Sequence, residues 1–197
     1  MMSTETVDTS KQNAPANPGA TLLPIARAAI SSALGQPLQA AEDAAWLQSL
    51  GATFVTLTQQ GQLRGCIGTL QAHYSLLADV KANAVAAALH DTRFEALTLT
   101  ELHNTDIEVS WLSPIETLHF DTETEALAQL RPGIDGVILE FERYRSTFLP
   151  QVWEQLPTHA EFITHLKRKA GLPPNFWSKG IQLKRYTVRK WKETKDI

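Results

Sequence analysis

The chain contains one cysteine, in the stretch Leu63-Arg64-Gly65-Cys66-Ile67-Gly68-Thr69. A thiolate is a nucleophile and a group carrier, and a guanidinium close to it favours the charged form. In an extended strand alternate side chains share a face, so Arg64 and Cys66 are expected on one side, Leu63 and Ile67 on the other. Two strand steps separate their α-carbons by roughly 7 Å, within reach of a flexible guanidinium. Glycine inside a strand marks a bulge, a close backbone approach or access for a ligand, which makes Gly65 and Gly68 candidate binding positions. The plain alternative is that Cys66 is a small buried hydrophobe and Arg64 part of a structural ion pair.

Further polar groups belong on the same map. Glu108 and Ser110 alternate with Ile107, Val109 and Trp111, and if their strand joins the cysteine's sheet they complete a polar pocket with Arg64 and Cys66. Glu108 is equally suited to an ion pair with Arg64, and then competes with the thiolate for the guanidinium. His90 closes the helix that follows the cysteine strand and is a candidate base for the thiol. Its place at a helix C-terminus, where the dipole favours a charged imidazole, explains it without catalysis. The other histidines, at 73, 103, 119, 159 and 165, show no pair at metal-ligand spacing, and one cysteine supplies no thiolate cluster. No metal site and no cofactor are expected, and phosphate-cradling glycine loops and G-x-S-x-G elbows are absent.

The elements that position these groups follow from periodicity and punctuation. Residues 1–20 are too polar to bury much surface and are expected to be a disordered tail. Leu22, Ile25, Ala26, Ala29, Ile30 and Ala33 recur at helical spacing, with Pro24 in the first turn and Gly35 after the last. A short helix is expected over 42–50. Thr53 to Thr58 alternate, a turn follows at Gln59-Gln60-Gly61-Gln62, and the cysteine stretch becomes the second strand of a hairpin. Ser75 caps the next helix, which carries Asp79 in its first turn and stops near His90.

Strands are expected over 106–112, 136–141, 147–149 and 181–188. Capping-box patterns at Thr122/Glu125 and Thr158/Glu161 open two helices, the second ending at Gly171. Hairpins mixed with helices, rather than repeated strand-helix-strand units, indicate an α+β fold with a mainly antiparallel sheet flanked by helices. No internal repeat is visible.

Composition bounds the function. With 197 residues, 43% of them hydrophobic, the chain suits one domain or a domain with a small subdomain. A single cysteine needs no oxidising compartment, and neither a signal-peptide core nor a membrane span is present, so a cytoplasmic protein without membrane contact is expected. Residues 1–130 carry 5 Lys/Arg against 14 Asp/Glu, and residues 131–197 carry 13 against 7. The basic end reads as solvated helix and a charged tail over 191–197; a regulatory nucleic-acid role is a third reading and binding of nucleic acid is not expected.

Together these stretches resemble one family, the AMMECR domain proteins, whose microbial members are called AmmeMemoRadiSam system protein A. The resemblance rests on Leu63–Thr69, on Asp91-Thr92-Arg93-Phe94 with Leu97-Thr98, and on Ile107–Ser110 followed by Leu112-Ser113-Pro114. Gly136–Leu139, Leu149–Val152, and Lys169–Pro173 with Trp177 extend it over roughly residues 20–190. Thr92, Glu95 and Ala96 depart from it, standing where the family often has proline. The resemblance implies an AMMECR-like domain over 21–190: a larger sheet-containing subdomain built from both chain ends and a smaller helical one inserted between them, with a cleft that the cysteine segment approaches. It adds Arg93 as a candidate binding residue.

No activity is assigned to that family. Its association with a Memo-like protein and a radical S-adenosylmethionine protein implies a shared modification pathway. Two functions stand nearly level: an enzyme component using Cys66, with Arg64, Glu108, Ser110 or His90 as helpers, and a non-catalytic module binding a partner or an unknown small molecule.

Overall fold

The computed structural model describes residues 14–193. They form two units: the first runs to Trp111 and resumes at Arg189, and the second is Leu112–Val188. Most of the expected tail lies outside the described residues, but its end does not. Helix α1 (Gly19–Ala33) starts two residues ahead of Thr21, because Trp191 covers its first turn so closely that a Cβ on Gly19 would lie 2.2 Å from the indole. Leu22, Ile25, Ala26, Ala29 and Ile30 form its buried stripe.

The helix expected over 42–50 does not form. Only a 3₁₀ turn, Ala45–Gln48, is present. Trp46 and Leu47 are buried, and Leu50–Gly51 is taken instead as strand β1. Its partner is β4 (Tyr74–Ser75), with Leu50 opposite Ser75. Only Leu50 of the expected helix enters that pairing; Trp46 and Leu47 pack into the first unit's core from the 3₁₀ turn, a tertiary placement that overrides local propensity.

The central hairpin forms as the alternation predicts. Strands β2 (Thr53–Gln59) and β3 (Gln62–Gly68) are joined by Gln60 (φ 50°) and Gly61 (φ 78°), the pair of positive φ values that suits a two-residue hairpin turn. Strand β5 (Asp106–Leu112) pairs antiparallel with β2, and β10 (Val188–Lys192) lies beyond it, giving the order β10-β5-β2-β3 with β3 at an edge. Helix α2 (Leu76–Leu89) is capped by Ser75, which accepts the Ala78 N–H. Val80, Ala84 and Ala87 of α2 join α1 and Val55, Leu57, Ile107 and Val109 of the sheet in one core. Short helix α3 (Leu99–Leu102) opens with a complete Thr98/Glu101 capping box.

The second unit departs from the expectation of a helical insert. It holds its own antiparallel sheet, ordered β6-β9-β7-β8, from β6 (Glu116–Thr117), β7 (Gly136–Phe141), β8 (Tyr144–Phe148) and β9 (Gln182–Tyr186). The alternating segments of the insert pair with each other, Val137 opposite Arg185, instead of extending the first sheet. Helices α4 (Glu123–Ala128) and α5 (His159–Ala170) accompany it. Phe162 of α5 stacks on Trp153 at 3.7 Å between ring centroids within this unit's core. The α+β class holds, with sheets in both units.

The strand expected over 181–188 is two strands in different units, β9 and β10, separated at Thr187. Trp191 and Lys192, assigned above to a charged tail, lie in β10. Several basic residues of the last third of the chain are paired: Lys167 with Glu123, Lys184 with Glu140, Arg185 with Glu116, and Lys192 with Asp106. That leaves fewer free cations for phosphate contacts than the charge count suggests. Among the described residues no helix is long and apolar enough to cross a membrane.

Candidate functional site

Cys66 sits on edge strand β3, directly opposite Thr56 of β2. Thr56 in turn faces Glu108 of β5, so Cys66, Thr56 and Glu108 form one row across three strands. Phe54 is flanked in the same way by Gly68 and Ser110. The expected shared face for Cys66, Glu108 and Ser110 is present, on the side of the sheet opposite the core residues Val55 and Val109. Cys66 is half-buried, and its Sγ lies 3.2 Å from Thr56 Oγ1. Glu108 is two strands from Cys66, roughly 10 Å by strand spacing, and has no polar partner among the described residues.

Arg64 does not join this row. The β2–β3 register slips between Leu57, opposite Gly65, and Thr58, opposite Leu63, so Arg64 is the extra residue of a β-bulge and the simple alternation fails there. Its guanidinium donates to Glu101 at 3.2 and 3.3 Å and to the Glu95 carbonyl at 2.8 Å. The ion pair considered with Glu108 is made with Glu101 instead, and Arg64 makes no bond to the thiol. Glu101 is held below the usual carboxylate range first by the Thr98 N–H and hydroxyl, and only then by Arg64.

The residues around the cysteine backbone come from the segment after α2. An edge strand presents N–H and C=O groups with no neighbouring strand to receive them. Asp91 Oδ2 accepts the Cys66 N–H at 2.8 Å, and Arg93 Nη2 donates to the Cys66 carbonyl at 3.2 Å. The two side chains are themselves paired, Arg93 Nη2 and Nε reaching Asp91 at 2.6 and 2.9 Å. Together they replace the missing strand at the cysteine.

Asp91 is buried, and its carboxyl is held well below the ordinary range, chiefly by Arg93 and further by the Cys66 N–H. Arg93 is raised mainly by Asp91, with a smaller contribution from the Cys66 sulfur. The guanidinium bonded to the cysteine residue is therefore that of Arg93, at the Cys66 carbonyl, and not that of Arg64.

The glycines serve different neighbours. Gly65 is buried, and a Cβ there would lie 2.1 Å from the Ala87 carbonyl oxygen of α2. Its missing side chain lets helix and strand approach, and does not open a path for a ligand. A Cβ on Gly68 would meet the Phe54 ring at 2.2 Å. Thr69, which ends the segment, donates its hydroxyl to Asp79 of α2. Asp79 also accepts the Thr53 N–H and hydroxyl and the Asn83 amide, a buried cluster tying strand ends to helix. His90 is exposed and lines a groove of about 830 Å³ with Ala28, Leu38, Lys81 and Val85; it makes no bond to Cys66.

The sequence reading missed the roles of Asp91, Asp79 and Glu101. The accessible signal was an edge strand whose backbone groups need partners, but no local spacing says which residues supply them. Among the described residues no cluster of three or more His, Cys, Asp or Glu side chains converges to hold a metal.

Residues 23–191 match the family model AMMECR1. The chain is 38% identical over 162 residues to a protein of Methanothermobacter thermautotrophicus, covering 80% of this chain and 84% of that one. It is 36% identical over 138 residues to Protein MJ0810 of Methanocaldococcus jannaschii, covering 67% of each. The crystal structure of uncharacterized protein PH0010 from Pyrococcus horikoshii superposes with a TM-score of 0.76 at 31% identity, covering 89% of this chain and 91% of that one.

Proposed function

We propose, from the premise that this chain belongs to the AMMECR1 family, that it is a component of a modification pathway that presents Cys66 as a positioned nucleophile or group carrier. The observation that carries this reading is the Asp91–Arg93 clamp: both backbone groups of Cys66 are held by an ion pair whose carboxylate is buried. That arrangement fixes the strand edge where the sulfur emerges, with a guanidinium bonded to the cysteine's own carbonyl. In the reaction the thiol proton leaves to solvent or a partner base, the thiolate forms a bond to an electrophilic carbon, and that carbon's leaving group departs with the bonding electrons. Thr56 orients the sulfur from one side. The family resemblance adds the proposed partners, a Memo-like protein and a radical S-adenosylmethionine protein, in a cytoplasmic setting.

A second reading, a non-catalytic binding module, draws on one observation: among the described residues His90, the candidate base, makes no bond to the thiol, and Arg64, the candidate thiolate stabiliser, is engaged by Glu101 and Glu95 instead. Alkylation kinetics separate the two. Iodoacetamide is expected to label Cys66 in the folded protein; Arg93→Gln should slow labelling roughly fivefold at neutral pH, the scale of a partly exposed charge pair, while Arg64→Gln leaves it unchanged. Absence of labelling, or equal slowing by both variants, would overturn the thiol reading. Co-purification with the two partners that survives Cys66→Ser would favour the binding module.

A further inference from the structure

The β2–β3 hairpin and α3 line a groove of about 490 Å³ that does not include Cys66, and Leu63 alone among its eight lining residues is apolar. We infer that this groove is a second ligand site, for a small uncharged polyol such as a monosaccharide, with Arg64 as its anchor. The inference does not depend on the reading given for Cys66.

The bulge that takes Arg64 away from the cysteine delivers it here, with its side chain only 14% exposed. Its guanidinium makes four bonds, three to Glu101 and one to the Glu95 carbonyl, and Nη1, with one bond, keeps an N–H for a ligand. The Glu101 bonds, at 3.2, 3.3 and 3.5 Å, are long beside the 2.6 Å Arg93–Asp91 contact, because the capping box with Thr98 holds the Glu101 carboxylate. A fixed donor therefore stands beside a carboxylate already filled by Arg64 and Thr98, so acceptors for a ligand come from the neighbouring carboxamides. Around them the carboxamides of Gln60, Gln62 and Asn104 have no partner among the described residues.

Ligand classes differ in how they meet this lining. An anion faces Glu101, and a cation faces Arg64. An apolar body finds only Leu63, and a flat aromatic ring finds no ring to stack on. A neutral polyol suits the interleaved donors and acceptors, because each hydroxyl both gives and receives a hydrogen bond, and the volume lies within the usual range of small-molecule sites.

Titration of the ¹⁵N-labelled protein with D-glucose and with D-ribose tests it. Saturable shifts are expected at the Gln62 and Asn104 side-chain amides, with a dissociation constant on the order of 1 mM. Gln62→Leu combined with Asn104→Leu, followed at the Arg64 and Thr100 backbone amides because both side-chain reporters are gone, should weaken binding at least about tenfold, and Cys66→Ser should titrate like the parent protein. No saturable shift with either sugar at about ten times a millimolar constant would overturn the inference. So would a saturable shift at these amides with inorganic phosphate in place of the sugars. The thiol reading would stand or fall separately on the alkylation kinetics.

Discussion

Replacing Gly65 with valine is expected to cost about 3 kcal/mol of folding stability. A new Cβ would lie 2.1 Å from the Ala87 carbonyl oxygen and 3.1 Å from its carbon, so the group in the way is helix backbone. A side chain could rotate aside; a backbone carbonyl in the last turn of α2 moves only with that turn. Relief therefore means lifting α2 from β3, which disturbs Val80, Ala84 and Ala87 in the first unit's core. For a chain of this size the melting temperature should fall by roughly 6–12 °C. Urea unfolding checks it, and a midpoint unchanged from the parent would show that the close approach is absent in solution. A loss of partner binding in Gly65→Val is expected to follow this loss of stability, not the blocking of a ligand.

Asp91→Asn is the second large effect, and pH separates it from ordinary damage. The Asp91 carboxyl is depressed below its ordinary value, first by Arg93 and then by the Cys66 N–H. A depressed carboxyl binds fewer protons in the folded than in the unfolded state. Its stabilisation is therefore fully present above about pH 4, the ordinary carboxyl range, and is lost as pH falls below that toward the folded-state value. Asp91→Asn should lose about 2 kcal/mol at pH 7, less than the usual cost of a broken buried pair because the exposed Arg93 recovers part of its hydration.

The gap between parent and variant should narrow as the pH drops from 4 toward 2. A gap that stays constant over that interval would show that the carboxylate charge is not what holds the clamp. The same variant should slow iodoacetamide labelling of Cys66, since Arg93 loses the partner that aims it. Normal labelling in Asp91→Asn would place Arg93 outside the thiol's chemistry.

Much of the fold was readable because its signals are local. Ser75, Thr122 and Thr158 each accept an N–H three residues on, a bond whose partners are fixed by chain proximity. The β2–β3 hairpin and β5 follow from alternation within seven residues. Where distant partners compete, the local reading failed: 42–50 kept only a 3₁₀ turn whose Trp46 and Leu47 pack into the first unit's core, and 181–192 divided between two sheets. The same limit applies to the site. Cys66, Glu108 and Ser110 could be placed on one face from strand period alone, but the bulge that removes Arg64 depends on how two strands register, which composition does not encode.

By itself the sequence determined the α+β class, the hairpin that carries Cys66, the helix caps and the family, because each rests on short-range spacing or on motif order along the chain. Tertiary structure alone decided which charges meet the cysteine. The Cys66 N–H and carbonyl lie on an open strand edge, and the residues that satisfy them come from 25 and 27 positions away. That separation is closed by α2 packing through Gly65 onto β3, a contact between backbones with no side-chain pattern to announce it.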